Sequence, residues 1–157
     1  MAAALLLAAC ASDEAAKTGD ANAAGGTTNN GITQGAVTPG SVEDFQQNVG
    51  DRVFFETDRY DLSAEAQSQL QKEAGWLKQY PAVTVTIEGH CDERGTREYN
   101  LALGERRANA VANYLTALGV DAGRLSVISY GKERPQCTDS NEACWAQNRR
   151  GVTSVNK

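Results

Sequence analysis

Histidine occurs once in this chain of 157 residues, and aromatic residues make up only 6% of it. Basic residues (15) are outnumbered by acidic ones (20), and no run of eighteen apolar residues occurs. Each shortage excludes something. A net charge of −5 argues against a nucleic-acid binder that works through a basic surface. Without a long apolar run the sequence holds no transmembrane helix. His90 would have to serve any Ser-His-Asp or Cys-His triad, and the adjacent Cys91 cannot readily reach its ring in nucleophilic geometry. His90, Cys91, Asp92 and Glu93 are four potential metal ligands in a row, but consecutive residues do not converge easily on one ion and zinc sites use wider spacing. Glu88 and Asp92 imitate a glycosidase carboxylate pair, yet Glu88 ends a strand and no apolar pocket is evident to tune it. Gly89, Gly95 and Gly104 match neither a phosphate loop nor a dinucleotide fingerprint, and Gly89 and Gly95 read as turn residues flanking a charged loop. No internal repeat is visible. The expectation is a protein without metal or cofactor that is not an enzyme.

What is present begins at MAAALLLAAC. This apolar stretch is too short to span a bilayer and suits the core of a secretory signal, although the basic region expected ahead of it is missing. Residues 1–9 are therefore read as a signal peptide whose start is either misassigned or trimmed. Leu7-Ala8-Ala9-Cys10 resembles the lipobox of bacterial lipoproteins, in which the cysteine is lipidated and becomes the new N-terminus. Several acyl chains anchor stably, at roughly 0.8 kcal/mol per buried methylene. Ala11, not an aspartate, follows it, which by that resemblance permits transfer to the outer membrane. Residues 10–40 are rich in Ala, Gly, Thr and Asn without apolar period and read as a flexible linker. Thirty such residues would have an r.m.s. span of roughly 30 Å and a contour of about 100 Å.

The folded domain is placed at residues 41–157. Arg52–Phe55 reads as a short strand. Ser63 caps a helix to about Gln79, with Ala66, Leu70, Ala74 and Leu77 on one face and Pro81 ending it. Val83–Glu88 alternates as a half-buried strand. A second helix spans about Glu98–Leu118, closed by Gly119. A strand follows at Leu125–Tyr130, then a short helix through Trp145 and Asn148 and a last strand, Gly151–Val155. The order β-α-β-α-β-(α)-β predicts an α/β sandwich with two long helices on one face of a small mixed sheet. Cys137 and Cys144 enclose a short polar segment and, in an oxidising compartment, are candidate disulfide partners. Cys91 is left over as a small filler.

Helical phase singles out one residue. Asn100, Leu103, Arg107, Val111, Tyr114 and Leu118 fall on one stripe of the second long helix, whereas Arg106 points to solvent. A guanidinium on a buried stripe must be paired. The candidates are Asp92 or Glu93 in the preceding loop, or an anionic ligand. One reading is a structural Arg–Asp pair. The other is a cleft at the helix N-terminus that offers an acceptor, a bidentate donor and backbone N–H groups near Thr96–Tyr99, suited to a small zwitterion.

EGHCDERGTREYNLALGERRANAV, with FFETDRYDL before it and SYGKERP and NRR after it, resembles the peptidoglycan-associated lipoproteins, and residues 51–155 resemble the OmpA-type C-terminal peptidoglycan-binding domain. That resemblance implies a lipid-anchored protein of the outer membrane, facing the periplasm. It would hold peptidoglycan noncovalently and belong to the Tol-Pal system, where TolB competes with peptidoglycan, in support of envelope integrity and cell division. Asp92 matches the aspartate of the family's GH-x-D element, and Arg107 the arginine of its N-x-x-L-[SG]-x-x-R-A element, with Asn100, Leu103 and Ala108 in register. These two would hold the ammonium and a carboxylate of meso-diaminopimelate. Phe55 and Asp58 match a strand-end element beside the pocket, and Asn148 and Arg149 the NRR corner. Arg94 and Thr96 would add donors. Cys91 and Thr57 depart from the residues commoner in the family. A cell-wall hydrolase, or an OmpA-like structural domain without a Tol role, are the alternatives.

Overall fold

The computed structural model describes residues 37–156. The expected signal segment 1–9, the expected lipidation site Cys10 and nearly all of the linker expected at 10–40 lie outside the described residues.

A short helix, α1 (Val42–Asp44), is capped by the Ser41 hydroxyl and runs on as a π-helical turn over Phe45–Val49. Sequence periodicity did not indicate it, because tertiary contacts hold it. Phe45 is fully buried against Trp76, with ring centroids 4.8 Å apart, and Asp44 accepts the Trp76 indole N–H at 2.8 Å. β1 (Arg52–Phe54) follows, then α2 (Ala64–Gln79), whose first turn is capped by Ser63 Oγ accepting the Ala66 N–H. The expected face of α2, Ala66, Leu70, Ala74 and Leu77, is buried.

β2 occupies Val85–His90, two residues later than its alternation suggested. Val83 is used in the turn after Pro81, its N–H bonding the Tyr80 carbonyl, and a bulge after Gly89 lets His90 continue the pairing. α3 (Arg97–Ala117) begins at Thr96, whose hydroxyl accepts the Tyr99 N–H at 3.2 Å. It ends at Gly119 with φ +95°, and Val120 N–H closes back on the Leu115 carbonyl, the reversal that a left-handed glycine permits. β3 (Leu125–Gly131), α4 (Glu142–Asn148) and β4 (Arg150–Val155) complete the domain. Cys137 and Cys144 are joined by a disulfide with Cα atoms 5.2 Å apart, fastening the loop before α4 to that helix.

The four strands lie in the order β1-β4-β2-β3, with β2 and β3 parallel and β4 antiparallel to both neighbours. Val53, Val85 and Ile87 point to one face and meet Leu70, Leu77, Ala108, Val111 and Leu115 of α2 and α3 in a single core. This is the α/β sandwich, with both long helices on one face of a mixed sheet. Gly89 is a correction to the sequence reading. It is an interior residue of β2, paired with Ser129 and Gly151, and not a turn residue. A methyl group there would overlap the Gly104 carbonyl of α3, so two glycines set how closely helix and sheet approach.

One carboxylate lies inside the core. Glu73 of α2 is fully buried, accepting from Thr153 Oγ1 at 2.7 Å and from Gln69 Nε2 at 3.2 Å. Burial pushes its pKa up to about 7, against the opposing pull of those two hydrogen bonds.

Candidate functional site

The carboxyl end of β2, the loop that leaves it and the first two turns of α3 form one wall of a cavity of about 310 Å³; the loop after β1 forms the other. Of the residues singled out from sequence, Asp58, Asp92, Arg94, Asn100, Leu103 and Arg107 line it together, and Thr57, Cys91, Gly95 and Tyr99 complete it.

Arg107 is the largest fully buried side chain of the domain. Its partner differs from the expectation. Neither Asp92 nor Glu93 pairs with it; Nε donates to the Arg59 carbonyl (2.8 Å), Nη1 to His90 (2.9 Å) and Nη2 to Glu56 (3.0 Å). The Phe55 ring lies under the guanidinium, 5.2 Å from it. Backbone carbonyls of the loop after β1 and of the last residue of β2 thus satisfy the buried cation, and sequence phase carries no information about which carbonyls those will be. Burial lowers the pKa of Arg107, while Cys91 and Asp92 oppose the shift. A guanidinium has five N–H donors, and the three bonds leave two without a backbone carbonyl.

Asp92, also buried, is held by two other arginines. Arg94 forks onto it, with Nη2 to Oδ2 at 2.7 Å and Nε to Oδ1 at 3.1 Å, and the Arg94 backbone N–H adds a bond to Oδ1. Arg149 Nη1 lies 3.4 Å from Oδ2. Burial alone would raise the pKa of Asp92; the hydrogen bonds and charge of Arg94, with Arg149 behind it, outweigh burial and hold it below the ordinary carboxylate value. The acceptor expected in the cavity is therefore present and ionised at neutral pH. Its resting partners are Arg94 and Arg149, not Arg107.

The remaining residues singled out from sequence stand outside the cavity wall. Arg149 is buried behind Asp92, donating to the Phe55 carbonyl (3.0 Å) and to Glu142 (2.6 Å). Asn148 organises the disulfide-closed loop, accepting from the Gln136 and Cys137 N–H groups and donating to the Cys137 carbonyl. Phe55 is buried below Arg107, and Thr96 spends its hydroxyl on the helix cap. These four position the site without lining it.

Asn100 is the hinge pin of the loop. Its amide donates to the carbonyls of Arg94 (2.7 Å) and Thr96 (2.9 Å) while the residue itself is buried. Lys132, in the SYGKERP segment after β3, clamps the same loop through the carbonyls of Glu93 and Gly95. Tyr99, which no sequence signal singled out, closes the rim, its hydroxyl donating to Asp58 Oδ1 at 3.3 Å. Asp58 has φ +55°, a left-handed conformation uncommon outside glycine. Cys91 is buried in the floor with its thiol on the Asn100 carbonyl, and burial pushes its pKa up to about 11, so it is no activated nucleophile. Among the described residues no group of three His, Cys, Asp or Glu side chains is arranged to hold a metal ion.

Fold and site together describe an α/β sandwich with a small, charged pocket at one end of its sheet. The OmpA family matches residues 54–149. The peptidoglycan-associated lipoprotein of Brucella melitensis is 55% identical over 126 residues, covering 80% of this chain and 75% of that protein. Its counterpart from Rhizobium meliloti is 56% identical over 123 residues, covering 78% and 70%. The crystal structure of the peptidoglycan-associated lipoprotein from Burkholderia pseudomallei superposes with a TM-score of 0.70 at 39% identity, covering 74% of this chain and all of that one. The C-terminal domain of Helicobacter pylori MotB, with a TM-score of 0.64 at 21% identity, shares the fold. The chain belongs to the OmpA family and, within it, to the peptidoglycan-associated lipoproteins.

Proposed function

We propose that the cavity binds the stem peptide of peptidoglycan through meso-diaminopimelate, with Asp92 receiving the side-chain ammonium and the two spare donors of Arg107 a carboxylate. The observation that carries this reading is the pairing of a buried, ionised carboxylate with a buried guanidinium on one small cavity, each fixed by its own network. A small zwitterion matches that arrangement; a polyanion would meet Asp58 and Asp92 at the mouth. Asn100 and Leu103 shape the wall, and Thr96, Phe55, Asn148 and Arg149 hold it in place.

In this reading the protein is an anchor and not an enzyme. Lipidated Cys10 holds it in the outer membrane, the linker spans to the wall, and the domain grips peptidoglycan from the periplasm. The family membership supports a place in the Tol-Pal system, with TolB as a partner that competes for the same face, and a role in envelope integrity and division. Catalysis is disfavoured by Asp92 itself, whose lowered pKa suits a permanent counter-charge and not a general acid.

Co-sedimentation with purified sacculi tests the reading. Asp92→Asn should abolish retention on diaminopimelate-type sacculi while the circular dichroism spectrum is kept, and no soluble fragments should be released. Retention of Asp92→Asn at the wild-type level would overturn the pocket assignment.

A further inference from the structure

Resting on the reading of Asp92 as an ammonium subsite, we infer that Arg94 is a built-in placeholder for that ammonium: binding is an exchange in which the ligand's cation displaces the Arg94 guanidinium from Asp92.

The two arginines on Asp92 are not equivalent. Arg149 is almost wholly buried and committed to the Phe55 carbonyl and Glu142, so it cannot leave. The Arg94 side chain is 39% exposed, lines the cavity and approaches Asp92 from its open side. Its backbone is fixed, by Asn100 Nδ2 on its carbonyl and by its own N–H on Asp92 Oδ1. Only the side chain is free to swing. Besides Asp92, the guanidinium has a 3.3 Å contact to Thr57 Oγ1 and the face of Trp145, 4.2 Å away, as a resting place. The guanidinium half of the pair reaches solvent, so on leaving Asp92 it can be rehydrated and is not left buried without a partner. A ligand cation reaching Asp92 regains the same charge-assisted bonds, whereas a neutral group has nothing to offer in return for removing Arg94. An uncharged group therefore leaves Arg94 on Asp92, and Arg94 weakens only the binding of a cation.

The test compares the full chain with its Arg94→Ala variant by calorimetric titration with a stem peptide containing meso-diaminopimelate, and with its analogue in which the side-chain amine is replaced by hydrogen. Arg94→Ala should bind the amine-bearing peptide roughly three- to tenfold more tightly, because the competing pair is gone. It should bind the analogue as the wild type does. In the wild type, ¹⁵N spectra should show the Arg94 Nε–H resonance shifting toward that of a free guanidinium on saturation with the amine-bearing peptide. Weaker or unchanged binding by a folded Arg94→Ala variant would overturn the inference. If that variant fails to fold, Arg94→Lys, which keeps the charge but loses the fork, decides by the same criterion. Absence of binding by the wild-type chain would instead sink the reading of the cavity itself.

Discussion

Gly89 of β2 lies directly beneath the Gly104 carbonyl of α3, and no β-carbon fits between them. The approach brings the amino-terminal half of α3, with Asn100, Leu103 and Arg107, down onto the end of β2 that leads into Asp92. Gly89→Ala should cost about 3 kcal/mol or more, since the obstruction is backbone and cannot turn aside. Denaturant unfolding would measure the loss, and ligand binding should fall with it because the helix must lift.

Arg107 serves structure as well as any ligand. Arg107→Ala leaves the carbonyls of Glu56, Arg59 and His90 without their donors and a cavity in their midst. We expect a loss of about 3 to 5 kcal/mol. Asp92→Asn, with Arg149 still tied to Phe55 and Glu142, should cost only about 1 to 2 kcal/mol. A binding comparison should therefore rest on Asp92, and thermal melts of both variants would verify the ranking.

Two buried groups give stability opposite pH slopes. Glu73 has a folded pKa near 7, above its ordinary 4.5, so the folded state holds a proton that the unfolded state has released between those values. Its contribution is full below about pH 4.5 and is lost as pH rises through about 7. His90 is shifted the other way, by burial first and then by the nearby Arg150, with Glu88 opposing. Its contribution is full above its ordinary 6.5 and is lost as pH falls below it. The slopes partly cancel in the wild type. Glu73→Gln should unmask a stability that rises with pH up to about 6.5, as read from unfolding midpoints across pH 4 to 8; an unchanged profile would contradict the assignment.

The disulfide-closed loop supports the site from behind. Replacing Cys137 and Cys144 by serine should cost about 2 to 3 kcal/mol through loop-closure entropy. The same change frees α4, which carries Trp145 against Arg94 and leads into Arg149 behind Asp92. Binding to sacculi should weaken in the double serine variant even where it remains folded, as a pull-down at low temperature would reveal.

Elements with a local cause were legible in the chain. Ser63 and Gly119 bound their helices because capping is short-range chemistry, and the stripe through Leu103, Arg107 and Val111 followed from helical period alone. Matching motifs then grouped ten residues, of which Asp58, Asp92, Arg94, Asn100, Leu103 and Arg107 line one cavity, whereas Phe55, Thr96, Asn148 and Arg149 stand outside its wall. The helix at Val42–Val49 was not legible, because Phe45 and Asp44 earn it by contacts to Trp76, 31 and 32 residues away. The partners of Arg107 were not legible either. They are backbone carbonyls, which every residue has, so no side-chain pattern marks them. The sequence by itself determined that Arg107 would be buried and must be satisfied. That carbonyls of the loop after β1 and of His90 satisfy it, and that Asp92 rests on Arg94 and Arg149, was settled by tertiary packing, because the way strand ends, loops and helices meet chooses those partners.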